Sequence, residues 1–273
     1  MAMERWIEGQ QKLGNKAAVA MGENLRREFG EVPLEAGGSP SAKVVESTAP
    51  RIEIKPPLAQ AIKEYKKTRT PELITAFNTV LWDQITQISG VDVSVPAYPG
   101  IEQQIKEMEA RGKGLIFIPE QYAEQAQRPL VAAAFKLLGN EYVPNNWSMQ
   151  PDNPVKNDII HVGYRFVDMQ IEAPNLRTSE KQARDLMGRG KQEEGSEGMN
   201  LSEYALAGLY SKLLTGQYLD EGTWSRLLSS SDGGRVVRAG FYSHGDFDVD
   251  SGLGPEDRDD DLGARFSSGV KTA

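Results

Sequence analysis

The chain contains no cysteine and only two histidines, His161 and His244. Without cysteine there are no disulfides, thiolate zinc sites or thiol nucleophiles, and a transition-metal site would have to rely on carboxylates. There is also no G-x-S-x-G sequence, and the adjacent Ser243 and His244 would point to opposite faces of a strand. The pattern favours a protein that is not an enzyme and that carries no cofactor.

An excess of positive charge and long apolar runs are also missing. Lys and Arg number 31 against 39 Asp and Glu, which gives a net charge of -8. This balance disfavours nucleic acid as a partner. No segment approaches the roughly 18 apolar residues of a membrane span, and the N-terminus lacks an apolar run of signal-peptide length. We therefore expect no membrane insertion and a cytoplasmic location by default.

The first 90 residues predict helices separated by a linker. Residues 1–30 place apolar side chains at helical spacing, whereas residues 31–57 contain five prolines and little apolar material. Residues 58–90 predict a helical segment of two helices. Thr70 is the expected N-cap of the second helix, with Pro71 at its first position and Gly90 at its end.

Residues 91–273 predict an α+β domain in which short strands alternate with helices. Strands are expected in VDVSV (91–95), in GLIFIPE (114–120) and as a pair within 158–173. Helices are expected at 101–110, at about 121–138 and at 201–214. His161 lies in an alternating apolar run and is expected to be a structural strand residue.

The last third of the chain carries the clearest helix boundaries. Asn200 and Glu203 form a capping-box pattern for the helix at 201–214, and Gly216 marks its end. An exposed polar loop is expected at 188–198. Three further strands are expected at the C-terminus, at 235–243, 246–250 and 262–267.

The C-terminal segment also has an unusual local composition. Residues 235–266 contain no Lys, Gln, Met or Trp and a single Glu, Glu256, although these five types make up about a quarter of the chain. Asp, Gly, Tyr, Ser, His and Phe replace them. The run DFDVD (246–250) approaches a calcium-loop pattern, but Ser251 stands at its sixth position and Asp257 at its twelfth. As a strand, it would place its three carboxylates on one face.

The segment NLSEYALAGLYSKLLTGQYLDEGTWSRLLSSSDGGRVVRAGFY, followed by LGARFS, resembles the C-terminal part of the C-type lectin fold in its formylglycine-generating-enzyme-like branch. The resemblance rests on Glu203-Tyr204, Trp224, the strand Arg238-Ala239-Gly240-Phe241 and the closing Gly263-Ala264-Arg265. It covers about a quarter of the chain well and residues 91–273 loosely. The enzymes of this branch need catalytic cysteines or three histidines, and this chain supplies neither set.

Within that branch the chain looks most like the variable proteins of diversity-generating retroelements. The resemblance implies a hypervariable region at about 235–266. Such a region is rewritten by mutagenesis directed at adenines, typically those of AAY codons. Such codons never yield Lys, Gln, Glu, Met or Trp, which are the types that are absent or nearly absent here. Glu256 would then be a fixed position.

The resemblance implies a variable ligand, expected to be a protein, bound on one face of the terminal strands. Apolar residues of these strands would pack in the core and stabilise the fold, while the residues between them face water and vary. Aromatic side chains would anchor the ligand and small polar ones would adapt to it. The implied ligand-binding residues are Arg238, Phe241, Tyr242, Ser243, His244, Asp246, Asp248, Asp250, Asp257 and Arg258.

Two alternatives remain open from the sequence. The chain could be a structural or assembly component that forms a homo-oligomer through the helices in 1–30 and 71–89. It could also bind carbohydrate with the help of calcium held by Asp246, Asp248, Asp250 and Asp257. Either Phe241 or Tyr242 could instead belong to the core, and Phe241 is the stronger candidate because its place in the motif borders the packed strand.

Overall fold

The computed structural model describes residues 54–123, 128–138, 156–157, 161–186, 196–230, 236–243, 245–250 and 254–271. The predicted helix at 1–30, the linker up to residue 53, residues 188–195 of the predicted loop, and His244 lie outside the described residues. The described residues all belong to one unit, which spans Ala49–Ala273.

The described part of the chain contains helices and strands in alternation. The helices are α1 (Pro56–Lys67), α2 (Pro71–Ser89), α3 (Glu102–Ala110), α4 (Glu120–Ala123), α5 (Arg128–Leu137) and α6 (Leu201–Thr215). Residues 180–186 are also helical. The strands are β1 (Lys113–Ile118), β2 (Lys156–Asn157), β3 (Gly163–Asp168), β4 (Ser196–Gly198), β5 (Trp224–Ser230), β6 (Val236–Phe241), β7 (Phe247–Asp250), β8 (Leu262–Ala264) and β9 (Phe266–Gly269).

The predicted helix boundaries at α2 and α6 are confirmed. The Thr70 hydroxyl accepts a hydrogen bond from the Leu73 N–H, and Pro71 opens α2. Asn200 and Glu203 form both bonds of a capping box at the start of α6. Each helix ends at a glycine with positive φ, Gly90 at 73° and Gly216 at 88°, a conformation that L-residues with a side chain avoid.

The strands form two sheets. The first sheet has the order β1-β3-β9-β4, with antiparallel neighbours throughout. The second sheet has the order β2-β5-β6-β7, and β8 pairs with β5 in parallel. Helices and largely antiparallel sheets occur together in one unit, so the fold is α+β.

Helix α6 lies at the centre of the hydrophobic core. Most of its residues are buried, and it contacts strands of both sheets. Tyr210 shows how the core joins distant elements, because its hydroxyl pairs with the Asn78 side chain of α2 and accepts a hydrogen bond from the Phe117 N–H of β1 at 3.2 Å. Helices α1 and α2 contribute to the same core.

Several predicted elements differ from those observed. Residues 91–95 are irregular, and helix α1 already begins at Pro56, within the predicted linker. Residues 196–198, predicted as part of an exposed loop, form β4, where Ser196 and Gly198 are buried. Within 158–173 the described residues contain one strand, β3, rather than a strand pair.

The C-terminal strands depart from the prediction in one further respect. The single strand predicted at 262–267 is two strands, β8 and β9, which belong to different sheets and are separated by Arg265. Strand β5 was not predicted at all. Among the described residues, no helix is both long enough and apolar enough to span a bilayer.

Candidate ligand-binding face

Strands β6 and β7 separate apolar from polar side chains. They pair antiparallel with Arg238 opposite Asp250, Gly240 opposite Asp248 and Phe241 opposite Phe247. Successive side chains of a strand point to opposite faces, so this register assigns each residue a side. The inner face consists of Val237, Ala239, Phe241, Phe247 and Val249, all of which are buried. The outer face consists of Trp224, Arg238, Gly240, Tyr242, Asp248 and Asp250.

Phe241 differs from the expectation that it lies on the binding surface. Its side chain is only 2% exposed and stacks against Tyr218, with ring centroids 5.0 Å apart and an interplanar angle of 10°. It also packs against α6 at Gly208, where an added Cβ would lie 2.3 Å from the Phe241 ring. Phe241 is therefore a core residue, because strand alternation turns it inward.

The outer face is built around the indole ring of Trp224. Strand β5 places Ser225 opposite Ala239, so that Trp224 lies over Gly240 on the neighbouring strand. An added Cβ at Gly240 would lie 3.5 Å from the indole and 3.2 Å from the Thr223 carbonyl oxygen. The Arg238 guanidinium lies 4.7 Å from the centroid of the same indole, within the range of a cation–π contact.

Arg238 compensates part of the negative charge on this face. Its Nη2 lies 2.8 Å from Asp250 on the neighbouring strand, and its Nη1 lies 3.8 Å from Asp259. Asp248 accepts a hydrogen bond of 2.8 Å from the Val249 N–H and a longer one of 3.4 Å from the Tyr242 hydroxyl. Contacts with the protein's own Arg238, Val249 N–H and Tyr242 hydroxyl thus offset part of the repulsion between the carboxylates at alternate strand positions.

The remaining predicted site residues lie in turns beside the outer face. Tyr242, 46% exposed, begins the turn between β6 and β7, and the neighbouring Ser243 and Asp246 are exposed as well. Gly245, with a φ of 104°, closes this turn. Asp257 and Arg258 are exposed in the loop before β8.

The four predicted calcium ligands do not converge. Asp257 accepts a hydrogen bond from the Gly254 N–H, whereas Asp250 pairs with Arg238. In the ranges that the structure describes, no group of three or more His, Asp or Glu side chains is arranged to hold a metal ion. The geometry gives no support to a calcium site at this position.

A concave depression lies beside the indole of Trp224. It has a volume of about 160 Å³ and is lined by residues 220–224 together with Gly240, Phe241, Tyr242 and Asp248. The sequence identified Tyr242 and Asp248 but missed Glu221 and Trp224 as members of the site. Trp224 carried a signal, since it is one of the residues on which the resemblance described above rests, whereas Glu221 lies in a loop that no pattern distinguishes.

A buried ion pair holds the wall of this depression in place. Asp220, which has a positive φ of 56°, pairs with Arg265 at 2.7 Å, and both side chains are fully buried. The Tyr204 hydroxyl donates to Asp220 at 2.8 Å, and Thr223 and Ser225 donate to it as well. Burial and the nearby Asp220 raise the pKa of Tyr204 well above its ordinary value, which keeps its hydroxyl a donor. The network fixes the backbone between Asp220 and Ser225.

His161 lies in a second polar cluster, away from the outer face. Its two ring nitrogens are each 2.7 Å from a carboxylate, Nδ1 from Glu203 and Nε2 from Glu197. Arg165 approaches Glu203 at 3.1 Å, and the buried Ser267 hydroxyl also donates to Glu203. The cluster joins β3, β4, β9 and α6, and both histidine nitrogens are engaged within it.

Comparison with protein-family models, with curated proteins and with solved structures finds no match for this chain.

Proposed function

We propose that this protein is a non-enzymatic binding protein that recognises its ligand with the outer face and the turn that follows β6. One observation carries the proposal: strands β6 and β7 bury every second side chain and turn the intervening ones away from the core. A ligand can then contact Tyr242, Asp246 and Asp248 without disturbing the packing beneath them.

The side chains available on this face suit protein recognition. Trp224 and Tyr242 offer rigid aromatic surface at a low cost in side-chain entropy. Ser243 and Asp246 add small polar groups that can adapt to different partners. The depression beside Trp224 provides the concave element that most binding surfaces use to seat an anchor residue.

We further propose that the chain is a C-type-lectin-fold variable protein of a diversity-generating retroelement. The support comes from the composition of residues 235–266 and from the family motif at Trp224 and 238–241. Strand alternation would allow such variation, since surface substitutions usually change stability by within about 0.5 kcal/mol. The buried Phe241, Phe247 and Val249 would be invariant core positions within the variable region.

The gene tests the retroelement part of this proposal. We expect AAY-derived codons at outward positions such as Tyr242, Ser243 and Asp246, a near-copy template repeat and a neighbouring reverse transcriptase gene. We expect the codons for Phe241 and Phe247 to match between the template and the expressed copy in related isolates. Absence of both the template repeat and the reverse transcriptase would remove the retroelement from the proposal.

A substitution library tests the binding part without knowledge of the ligand. Tyr242, Ser243 and Asp246 are randomised together in the full chain, and thermal unfolding is measured for a sample of variants. We expect most variants to keep a Tm within a few degrees of the parent, because these side chains are exposed. A matched library at Val237, Ala239 and Phe241 should mostly fail to fold. Equal sensitivity of the two libraries would contradict a variable binding face.

A further inference from the structure

The depression beside Trp224 has an unusual balance of charge. Glu221 and Asp248 are half-buried on its lining, and among the described residues no Lys or Arg lines it. Asp220 also belongs to the lining, but its charge is compensated by Arg265 at 2.7 Å. Two carboxylates therefore face the depression without a basic side chain among the residues that line it.

The arginine that contacts Trp224 is already engaged. Arg238 lies over the indole of Trp224, and its guanidinium pairs with Asp250 and Asp259. The surroundings are acidic as well, because residues 238–261 contain eight carboxylates and two arginines. The local field thus attracts cations and disfavours anionic ligands.

The space and the aromatic surface are also present. Gly240 lines the depression, and an added Cβ at this position would lie 3.5 Å from the Trp224 indole. The volume of about 160 Å³ is enough for the end of one long side chain. Trp224 and Tyr242 present aromatic surface beside Asp248, a combination that binds guanidinium and ammonium groups through cation–π and charge-assisted contacts.

We propose that the depression bounded by Glu221, Trp224, Gly240, Tyr242 and Asp248 receives an arginine or lysine side chain from a basic surface of a protein partner. The inference deepens the proposed function and rests on it, since it names the chemistry of the residue that the outer face accepts. In the bound state the cation lies against the aromatic side chains and between the carboxylates of Glu221 and Asp248.

The test uses the full chain labelled with ¹⁵N in its tryptophan indoles, and N-acetyl-arginine methylamide as the probe. The corresponding citrulline derivative has nearly the same shape but no charge. The four Trp residues give four indole signals, and a Trp224→Phe variant assigns the relevant one. We expect the arginine probe to shift the Trp224 signal saturably and the citrulline probe to bind about tenfold more weakly.

Charge-removing variants locate the effect. Glu221→Gln with Asp248→Asn keeps the acceptor oxygens that bond to the Tyr218 and Val249 N–H groups, so the fold should be retained. This double variant should weaken binding of the arginine probe about tenfold. Glu256→Gln with Asp260→Asn removes two charges from the same acidic region outside the depression and should leave binding unchanged. If the variant with Glu221→Gln and Asp248→Asn is unstable, Glu221→Gln alone is compared with the parent instead.

Several outcomes would overturn the inference. These are equal binding of the arginine and citrulline probes, no saturable shift of the Trp224 signal, or an equal loss of binding in both double variants. A second experiment tells failure of the cation site apart from failure of the proposed function. In it, random peptides from a display library are selected for binding to the full chain. If the selected peptides lack Arg and Lys, bind the parent chain and fail to bind the Tyr242→Ala variant, the proposed cation site is overturned and the proposed binding face is kept. A selection without any binder that depends on the outer face would count against both.

Discussion

The inner and outer faces of β6 and β7 share one backbone but differ in what their side chains do. On the inner face, Phe241 stacks against the rings of Tyr204 and Tyr218 and is 2% exposed. On the outer side, the very next residue, Tyr242, is 46% exposed. A core position and a candidate recognition position thus lie one peptide bond apart. The difference shows that the burial of a position depends on strand alternation more than on its location in the sequence.

The largest effect is expected from truncation of the inner face. Phe241→Ala would remove the ring that joins α6, Tyr218 and Phe247, and should lower the free energy of unfolding by about 3–5 kcal/mol. The matched control, Tyr242→Ala, should change it by within about 0.5 kcal/mol. Urea denaturation of both variants makes the measurement. Similar losses for the two would show that the faces do not differ as described.

A smaller loss is expected from overfilling the contact beneath Phe241. Gly208→Ala adds a methyl group 2.3 Å from the Phe241 ring, a distance that the packed core can accept only by moving. Overpacking of this kind costs about 1–3 kcal/mol, although alanine by itself favours a helix. Adding Phe241→Leu to Gly208→Ala should restore part of the stability lost. A Gly208→Ala variant as stable as the parent would argue against this close contact.

Buried tyrosine hydroxyls should make the free energy of unfolding depend on pH in the alkaline range. Burial raises the pKa of Tyr98 and of Tyr164 to about 12 from an ordinary value near 10. Between these values the unfolded chain releases protons that the folded chain retains. The contribution of these tyrosines to the free energy of unfolding is therefore fully present below pH 10. Above pH 10 the free energy of unfolding falls, by up to about 1.4 kcal/mol per pH unit for each such tyrosine.

Denaturant unfolding at pH 8, 10 and 11 measures this fall, and Tyr98→Phe provides the control. The buried Tyr98 hydroxyl has no hydrogen-bond partner in the described part of the chain, so its removal should cost little at pH 8. The variant should lose stability less steeply above pH 10. A fall as steep as that of the parent would exclude Tyr98 as a contributor.

The smallest effect is expected at the ion pair on the outer face. Asp250→Asn leaves Arg238 with Asp259 at 3.8 Å and with the indole of Trp224. Partly exposed ion pairs contribute about 0.2–1 kcal/mol, and the loss should fall in that range. Because salt screens such pairs, the difference from the parent should shrink when unfolding is measured at higher salt. A loss above that range would mean that the outer face supports the fold after all.

Local patterns predicted the helix ends well, because each end depends on residues close in sequence. Thr70 and Pro71 at the start of α2, and Asn200 and Glu203 at the start of α6, satisfy backbone N–H groups within one turn. The two-sided character of β7 was predicted for the same reason, since opposite facing of neighbours is a property of any strand. For β6 a strand was predicted without an assignment of its alternate residues to two faces. What alternation alone could not decide was which face the rest of the chain covers.

Other features were missed because their cause lies far away in the sequence. Strand β5 lacks a clear alternation, and it forms because β6 and β8 pair with its two edges. Residues 262–267 look like one strand, but the buried Arg265 turns to Asp220 and divides them between two sheets. β4 is assigned to a sheet only through its pairing with β9.

By itself the sequence determined the helix caps, the α+β class and the two faces of the strand at 246–250. These features follow from backbone geometry and from side chains within a few residues of each other. Only the tertiary structure decided that Phe241 is core, and only it brought Glu221 and Trp224 beside Tyr242 and Asp248. The physical reason is that burial and charge proximity depend on which distant segments pack together, and long-range pairing is not encoded in any local pattern.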